Sequence, residues 1–259
     1  MISVTILTKN GSKYLPEVLT ALKCFDEVVI YDTGSTDDTF DIAEKFPNVT
    51  IYREQFIGFG PTHNQASSIA KHDWILSIDS DEVVTAEMAS EIKKTKLNPR
   101  CVYSFPRHNY FNGKFIKWCG WYPDRQVRLY HRKNTSFSDV QVHERIRIEN
   151  LGHIHLQSPL RHYSYSSISN FLEKMQFYSD LFAKQNQGKI SSSPFKAIAH
   201  GVFAFFKSYV LKRGFLGGYE GFIISKYNGH TAYYKYLKLY EANSAKAPSN
   251  DPSCNKIRR

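Results

Sequence analysis

Apolar residues in the first hundred positions recur as short runs separated by stretches of helical spacing. "ISVTILT", "DEVVIYD", "NVTIYRE" and "DWILSID" read as strands, and the segments around 14–24, 37–46, 62–71 and 86–94 read as helices. Strands alternating with helices call for a parallel sheet joined by right-handed crossovers, an α/β, Rossmann-like class. In the fourth run Trp74, Ile75, Leu76 and Ile78 are almost continuously apolar, as a strand covered on both faces requires. From 101 to 163 the pattern changes to strand-like "CVYSFPRHNYF", an Asn112-Gly113 hairpin signal, "RQVRLYH" and "QVHERIRI". These segments are expected to extend the sheet and wall a crevice.

Beyond about residue 166, Ile168, Phe171, Leu172, Met175, Tyr178 and Phe182 recur at threes and fours, the apolar stripe of a helix expected to pack on the first domain. The run from Ala197 to Leu211 is short, and interrupted by His200 and Lys207, for a membrane span. It suits helices packed on the first domain or an interfacial helix. The polar stretch 242–259 reads as a frayed tail. Three parts result: an α/β domain over 1–163, a basic helical module over 164–241, and the tail.

Charge sharpens this division. Residues 1–100 carry ten lysines and arginines against fifteen aspartates and glutamates; the remainder carries twenty-four against nine, within a net charge of +10. A basic second half attracts a polyanion, an anionic membrane surface or a phosphorylated substrate. Cys24, Cys101, Cys119 and Cys254 are widely spaced and form no CxxC pairing, so reduced thiols are expected, with neither a disulfide framework nor a cysteine metal site. The start "MISVTILTKN" reads as a first strand and not as a secretory signal, so a cytoplasmic protein is expected.

The chemistry-bearing residues stand at strand ends, where ligands of open α/β sheets bind. "TILTKNG" closes the first strand, "VVIYDTGSTDDT" the second and "WILSIDSDE" the fourth. In the second, Gly34 permits a tight turn, and Ser35 or Thr36 is expected to cap the next helix near Asp37 and Asp38. If strand geometry persists, Asp79 and Asp81 share a face while Ser80 points away, and the two carboxylates repel unless a cation joins them. No Gly-x-Gly-x-x-Gly follows the first strand and no Walker-type loop occurs, which removes the main support for dinucleotide and P-loop readings.

With "VTILTKNGSKYLPEVL", "DEVVIYDTGSTDDTFDIA", "GFGPTHNQASSIAKHDWILSIDSDE", "RQVRLYHR" and "VHERI", the chain resembles the family-2 glycosyltransferases of GT-A fold. More narrowly, from residue 2 to about 241 and including "KRGFLGGYEGFIISKY", it is similar to lipopolysaccharide core β-1,4-glucosyltransferases that act on inner-core heptose. The resemblance implies an inverting transfer of a hexose, glucose from UDP-glucose, aided by Mg or Mn. It places the nucleotide near Thr8, Asn10, Asp32, Asn64 and Asp79, makes Asp81 the main metal ligand with Asp79 beside it, and offers Glu144 as base, with Asp124 as rival. His143 would position Glu144 or contact phosphate, and Arg125, Arg128 and Arg132 suit bidentate contacts with diphosphate or acceptor anions or, equally, solvated strand edges. His63 departs from the Arg-Asn found in many relatives and fits a helix surface at least as well as a diphosphate contact. The implied partners are a nucleotide-sugar donor, a lipopolysaccharide core acceptor and the cytoplasmic surface of the inner membrane.

Two other readings fare worse. "ILSIDSDEV" also resembles the nucleophile motif of haloacid-dehalogenase-like phosphatases, but after Glu82 no two aspartates are adjacent to hold their magnesium. A basic nucleic-acid binder using "GFLG" or "GYEG" as KH-like loops explains none of the strand-end residues, so no nucleic-acid partner is expected.

Overall fold

A computed structural model describes residues 1–139 and 145–245. In chain order the first elements are β1 (Ser3–Thr8), α1 (Leu15–Ala21), β2 (Glu27–Asp32), α2 (Thr39–Ala43), β3 (Val49–Arg53), α3 (Phe59–Ile69), β4 (Trp74–Asp79), β5 (Glu82–Val84) and α4 (Ala86–Lys94). There follow β6 (Cys101–Phe111), β7 (Lys114–Phe115), β8 (Arg125–His131), β9 (Gly152–His155), β10 (Leu160–Tyr165), α5 (Ile168–Asn186), α6 (Pro194–Phe206) and α7 (Gly218–Ser244). The chain divides into two compact units, one of Met1–Tyr110 with Pro123–Ser164, the other of Phe111–Tyr122 with the chain from Tyr165 on.

In the first unit β3, β2, β1 and β4 lie parallel and adjacent in that order. β8 then pairs antiparallel with β4, and β6 antiparallel with β8. The strands therefore enter the sheet as the hydrophobic runs predict, and all six residues of β2 are buried because both faces are covered. Val4, Ile6, Val28, Ile30, Leu76 and Ile78 form the centre of the core. On α1, Leu15, Val18 and Leu19 recur at helical spacing and complete it on one side. Thr85 caps α4 by accepting a hydrogen bond from the Met88 amide at 3.1 Å, while Lys93 and Lys94 occupy its last turn and oppose the helix dipole.

In the second unit Asn112 and Gly113 both take positive φ (52° and 74°), as the two central residues of a type I′ hairpin turn must. Phe111, Ile116, Cys119, Phe171 and Ile224 form this unit's own core. Glu220 is buried, and its charge is met by Lys114 Nζ at 2.9 Å and Asn112 Nδ2 at 3.0 Å. The helical stripe of α5 is only partly inward: Phe171 is buried, whereas Ile168, Leu172 and Tyr178 are exposed. Ser179 and Ala183 complete the buried face of α5, which lies against α7. Phe171 and Phe182 also meet α7, their rings 4.7 Å from Tyr227 and 5.5 Å from Tyr236, with the small residues alongside. No described helix is long and apolar enough to cross a membrane.

Candidate active site

The site is built where β1, β2 and β4 end, all within the first unit. After β1 the chain turns at Asn10, a non-glycine residue at φ 55°. Its amide donates to Ser35 Oγ at 2.7 Å, and its Oδ1 accepts from the Thr36 amide at 2.8 Å. Asp32, fully buried at the end of β2, accepts from the amides of Gly34 and Ser35 at 3.0 and 2.9 Å and from the Ser35 hydroxyl. Ser35 is thus spent within the loop, and Asp37 does the work expected of a cap. Its Oδ1 accepts from the Thr39 amide at 3.2 Å and its Oδ2 from the Ser12 amide at 3.1 Å. Partial burial acts to raise the Asp37 carboxyl, but bonds from Thr39 and Ser12 outweigh it and hold it down at about 2. Asn10, Asp32 and Asp37 therefore brace two loops against each other. At the same end of β1, Thr8 Oγ1 is buried with no hydrogen-bond partner.

At the third station the regular strand stops at Asp79, and Ser80 and Asp81 form a turn, so strand alternation does not govern how the two aspartates face. Asp79 already has a cation within the protein. Arg128, on β8, donates from Nη2 to Asp79 Oδ2 at 2.6 Å and to Glu82 Oε1. Glu82, fully buried, also meets Arg107 Nη1 at 3.3 Å, and Arg107 Nε donates to Asp124 Oδ2 at 2.8 Å. The result is an alternating chain, Asp79–Arg128–Glu82–Arg107–Asp124, with three carboxylates against two guanidiniums. Burial acts to raise the Asp79 carboxyl, but the Arg128 guanidinium, helped by His63, His162 and Arg107, keeps it well below the usual carboxylate range. Arg128, almost fully buried, is in turn held more firmly protonated by its two carboxylates against the opposing effect of burial.

Asp81 stands outside this chain, its side chain 32% exposed and its Oδ1 3.6 Å from His162 Nε2. His162 Nδ1 is tied to Asn109 Oδ1 at 2.6 Å and Ser164 Oγ at 2.9 Å, which sets the ring's orientation. Hard divalent cations take oxygen ligands and are commonly held by one or two carboxylates together with substrate phosphates. Asp81, with the solvent-facing part of Asp79, suits such a site. Among the described residues no cluster of three or more such side chains forms a complete metal cage.

Several residues singled out in the sequence serve the framework. Asp124 accepts from Arg107, Asn109 and Gln126; burial acts to raise its carboxyl, and these partners bring it below its ordinary value. Arg125 Nη1 donates to the carbonyls of Ser104 and Leu156 at 2.9 and 2.7 Å. Arg132 pairs with Asp73 and donates to the carbonyls of Ser67 and Ala70. Asn64 grips the backbone of Phe137 from both sides, its Nδ2 donating to the carbonyl at 3.1 Å and its Oδ1 accepting from the amide at 2.8 Å. Phe137 bridges to Ile146, and the Ser138 amide donates to the Arg145 carbonyl at 2.8 Å. His143 and Glu144 lie outside the described residues.

His63 is buried and not on the helix surface. It stacks on Phe137 at 4.4 Å, with Nδ1 3.2 Å from Ser77 Oγ. Burial pushes its pKa down to about 4, Arg128 adding to the effect and Asp79 opposing it. The unfolded chain then binds the extra proton first, so stability falls as pH drops from about 6.5 to about 4, by on the order of 3 kcal/mol in all. Urea unfolding across that range should show this slope, and His63→Gln should flatten it.

Glu82, Arg107, Asn109, His162 and Ser164 are the site residues that the sequence reading passes over. A signal for four of them exists. Positions 107 and 109 alternate in β6, and 162 and 164 in β10, marking a polar face on each strand.

Comparison with known proteins places this architecture. Residues 3–151 match the glycosyl transferase family 2. An uncharacterized glycosyltransferase of Rickettsia conorii is 30% identical over 93% of this chain and 90% of its own length; another, from Rickettsia felis, is 30% identical with the same coverage. Among solved structures, S. aureus TarS in complex with UDP overlaps 94% of this chain and 90% of its own, at 16% identity and a TM-score of 0.44. An α/β sheet with its acidic turn at the end of β4, matched by the family over more than half the chain and by relatives along nearly all of it, has one reading: the chain belongs to the glycosyl transferase family 2.

Proposed function

We propose that this glycosyltransferase moves glucose from UDP-glucose, with inversion, to an inner-core heptose of lipopolysaccharide at the cytoplasmic face of the inner membrane. The observation that carries the reading is the partly exposed Asp81 at the turn after β4, next to an ion-pair chain in which carboxylates outnumber guanidiniums. The sugar and the acceptor rest on the resemblance over residues 2–241, and the basic second half suits an acceptor bearing phosphates and acidic sugars.

Departure of a nucleoside diphosphate develops negative charge. A Mg or Mn ion held by Asp81, with Asp79 beside it, would supply Lewis-acid neutralisation of that charge. Arg128 keeps Asp79 ionised and oriented. The unpartnered Thr8 hydroxyl is the group left over to meet the nucleotide, while Asn10, Asp32 and Asn64 act by holding the loops that form its walls. Attack also needs a base for the acceptor hydroxyl. With its oxygens engaged by three donors, Asp124 is a weak proton acceptor, so the role goes to Glu144, with His143 next to it.

The test is UDP release from UDP-glucose and from UDP-galactose, with and without a truncated heptose-bearing core, in Mn or in EDTA. Acceptor-dependent, chelator-sensitive release from UDP-glucose is expected. Glu144→Gln should lower kcat by about 10²–10⁴ with little change in donor KM. Equal release from both donors would remove glucose from the proposal, and a fully active Glu144→Gln would return the base to another group.

A further inference from the structure

Helix α6 of the second unit is built inside out. Its packed side is made of small groups: Ala197 is fully buried, and Gly201 faces α7 so closely that a Cβ there would stand 2.9 Å from Tyr233 Cβ. Gly229 answers from α7, where a Cβ would meet Phe205 Cβ at 3.0 Å. The large side chains point the other way. Phe195 is 79% exposed, Val202 65% and Phe203 58%, with Ile198 and Phe206 on the same side. Leu211, Phe215 and Leu216 continue the exposed apolar surface past the helix end. A helix of a water-soluble protein normally buries its large apolar groups and exposes polar ones. Small residues between helices with large ones outward is the arrangement seen in lipid, and an exposed patch of this kind marks an interaction site.

Charge selects the partner. From Leu181 to Tyr219 the chain contains no aspartate or glutamate but carries Lys184, Lys189, Lys196, Lys207, Lys212 and Arg213. A second copy seated on this face would bring like charges together, whereas anionic headgroups complement them. We infer that the outer face of α6 and the turn after it form a docking surface for an anionic lipid bilayer, with Phe195, Ile198, Val202, Phe203 and Phe206 entering the headgroup region and the lysines meeting the phosphates. Insertion is shallow, along the interface. Binding therefore has an apolar part that salt does not remove, in addition to an electrostatic part that it does. This surface deepens the membrane location of the proposed function, and because its test needs no substrate, its failure is distinguishable from failure of the sugar transfer.

The experiment is flotation of the full chain with vesicles of phosphatidylglycerol and phosphatidylethanolamine, and with phosphatidylcholine alone, at low salt and at about 0.5 M NaCl. Wild type should float with the anionic vesicles and keep a measurable fraction bound at high salt. The triple variant Ile198→Ser, Val202→Ser, Phe203→Ser should lose at least about tenfold in partitioning at both salts. The pair Lys196→Glu, Lys207→Glu should weaken low-salt binding and leave the salt-resistant fraction. All three positions of the triple variant are exposed, so circular dichroism should be unchanged. Absence of flotation, or flotation of the triple variant like wild type, overturns the assignment. So does a wild-type dimer in light scattering that the triple variant abolishes, which would make the face a self-interface.

Discussion

Asp81→Asn is expected to lower kcat for sugar transfer by about a thousandfold while leaving the melting temperature within a degree or two of wild type. The substitution keeps size and hydrogen-bonding capacity opposite His162 and removes only the charge. Asp81 is outside the alternating ion-pair chain and is partly exposed, so little folding energy depends on it. A hard cation, by contrast, discriminates sharply between a carboxylate and an amide. The two readouts together make the test specific: UDP release in a Mn titration, and thermal unfolding. Activity within threefold of wild type would remove Asp81 as the principal ligand. Loss of both activity and stability would instead assign it to the framework.

Arg128→Met should do the opposite, acting first on the fold. It strips the shared cation from Asp79 and from the fully buried Glu82, leaving buried negative charge without its main partner. Removing one member of a buried pair costs about 3–5 kcal/mol, a large share of the 5–15 kcal/mol that holds a typical domain together. The pH dependence has a definite sign. Asp79 has a folded-state pKa below its unfolded value, so its pairing contributes stability at neutral pH that is lost as pH falls through the unfolded value, near 3.9, and below. The penalty of Arg128→Met should therefore be greatest near pH 7 and shrink in acid, as Asp79 takes up a proton. Urea unfolding of both proteins at several pH values measures this directly. A constant difference across pH would mean that Arg128 contributes by packing alone.

Two of the first four strands were readable because burial on both faces leaves little choice of residue. β2 and the apolar part of β4 had to be continuous hydrophobic runs, and they are. The strand-end stations were readable for a related reason: a polar group directly after such a run lies at the sheet's edge whatever the rest of the fold does. The helical stripe of α5 was less so, since spacing of three and four shows that a face is apolar but not which neighbour covers it. Phe171 and Phe182 of the stripe reach Tyr227 and Tyr236 on α7 beside the small Ser179 and Ala183, while Ile168, Leu172 and Tyr178 stay exposed. His63 shows the same limit. A histidine in a polar stretch suits a helix surface, but in the fold it lies against Ser77 of β4 and under Phe137, more than seventy residues later.

The sequence by itself determined the order of strands and helices, the acidic turn after β4, the acidic-to-basic division and the family to which the chain belongs, because each is a local pattern or a sum over composition. The tertiary structure decided how the polar groups are spent. Asp32 is a loop brace because Gly34 and Ser35 fold back on it, and Asp124 is held by Arg107, Asn109 and Gln126. Arg128 became the cation between two carboxylates because β8 runs antiparallel beside β4. Hydrogen bonds and ion pairs act over about 3 Å, and which groups come that close is set by the pairing of strands far apart in the chain.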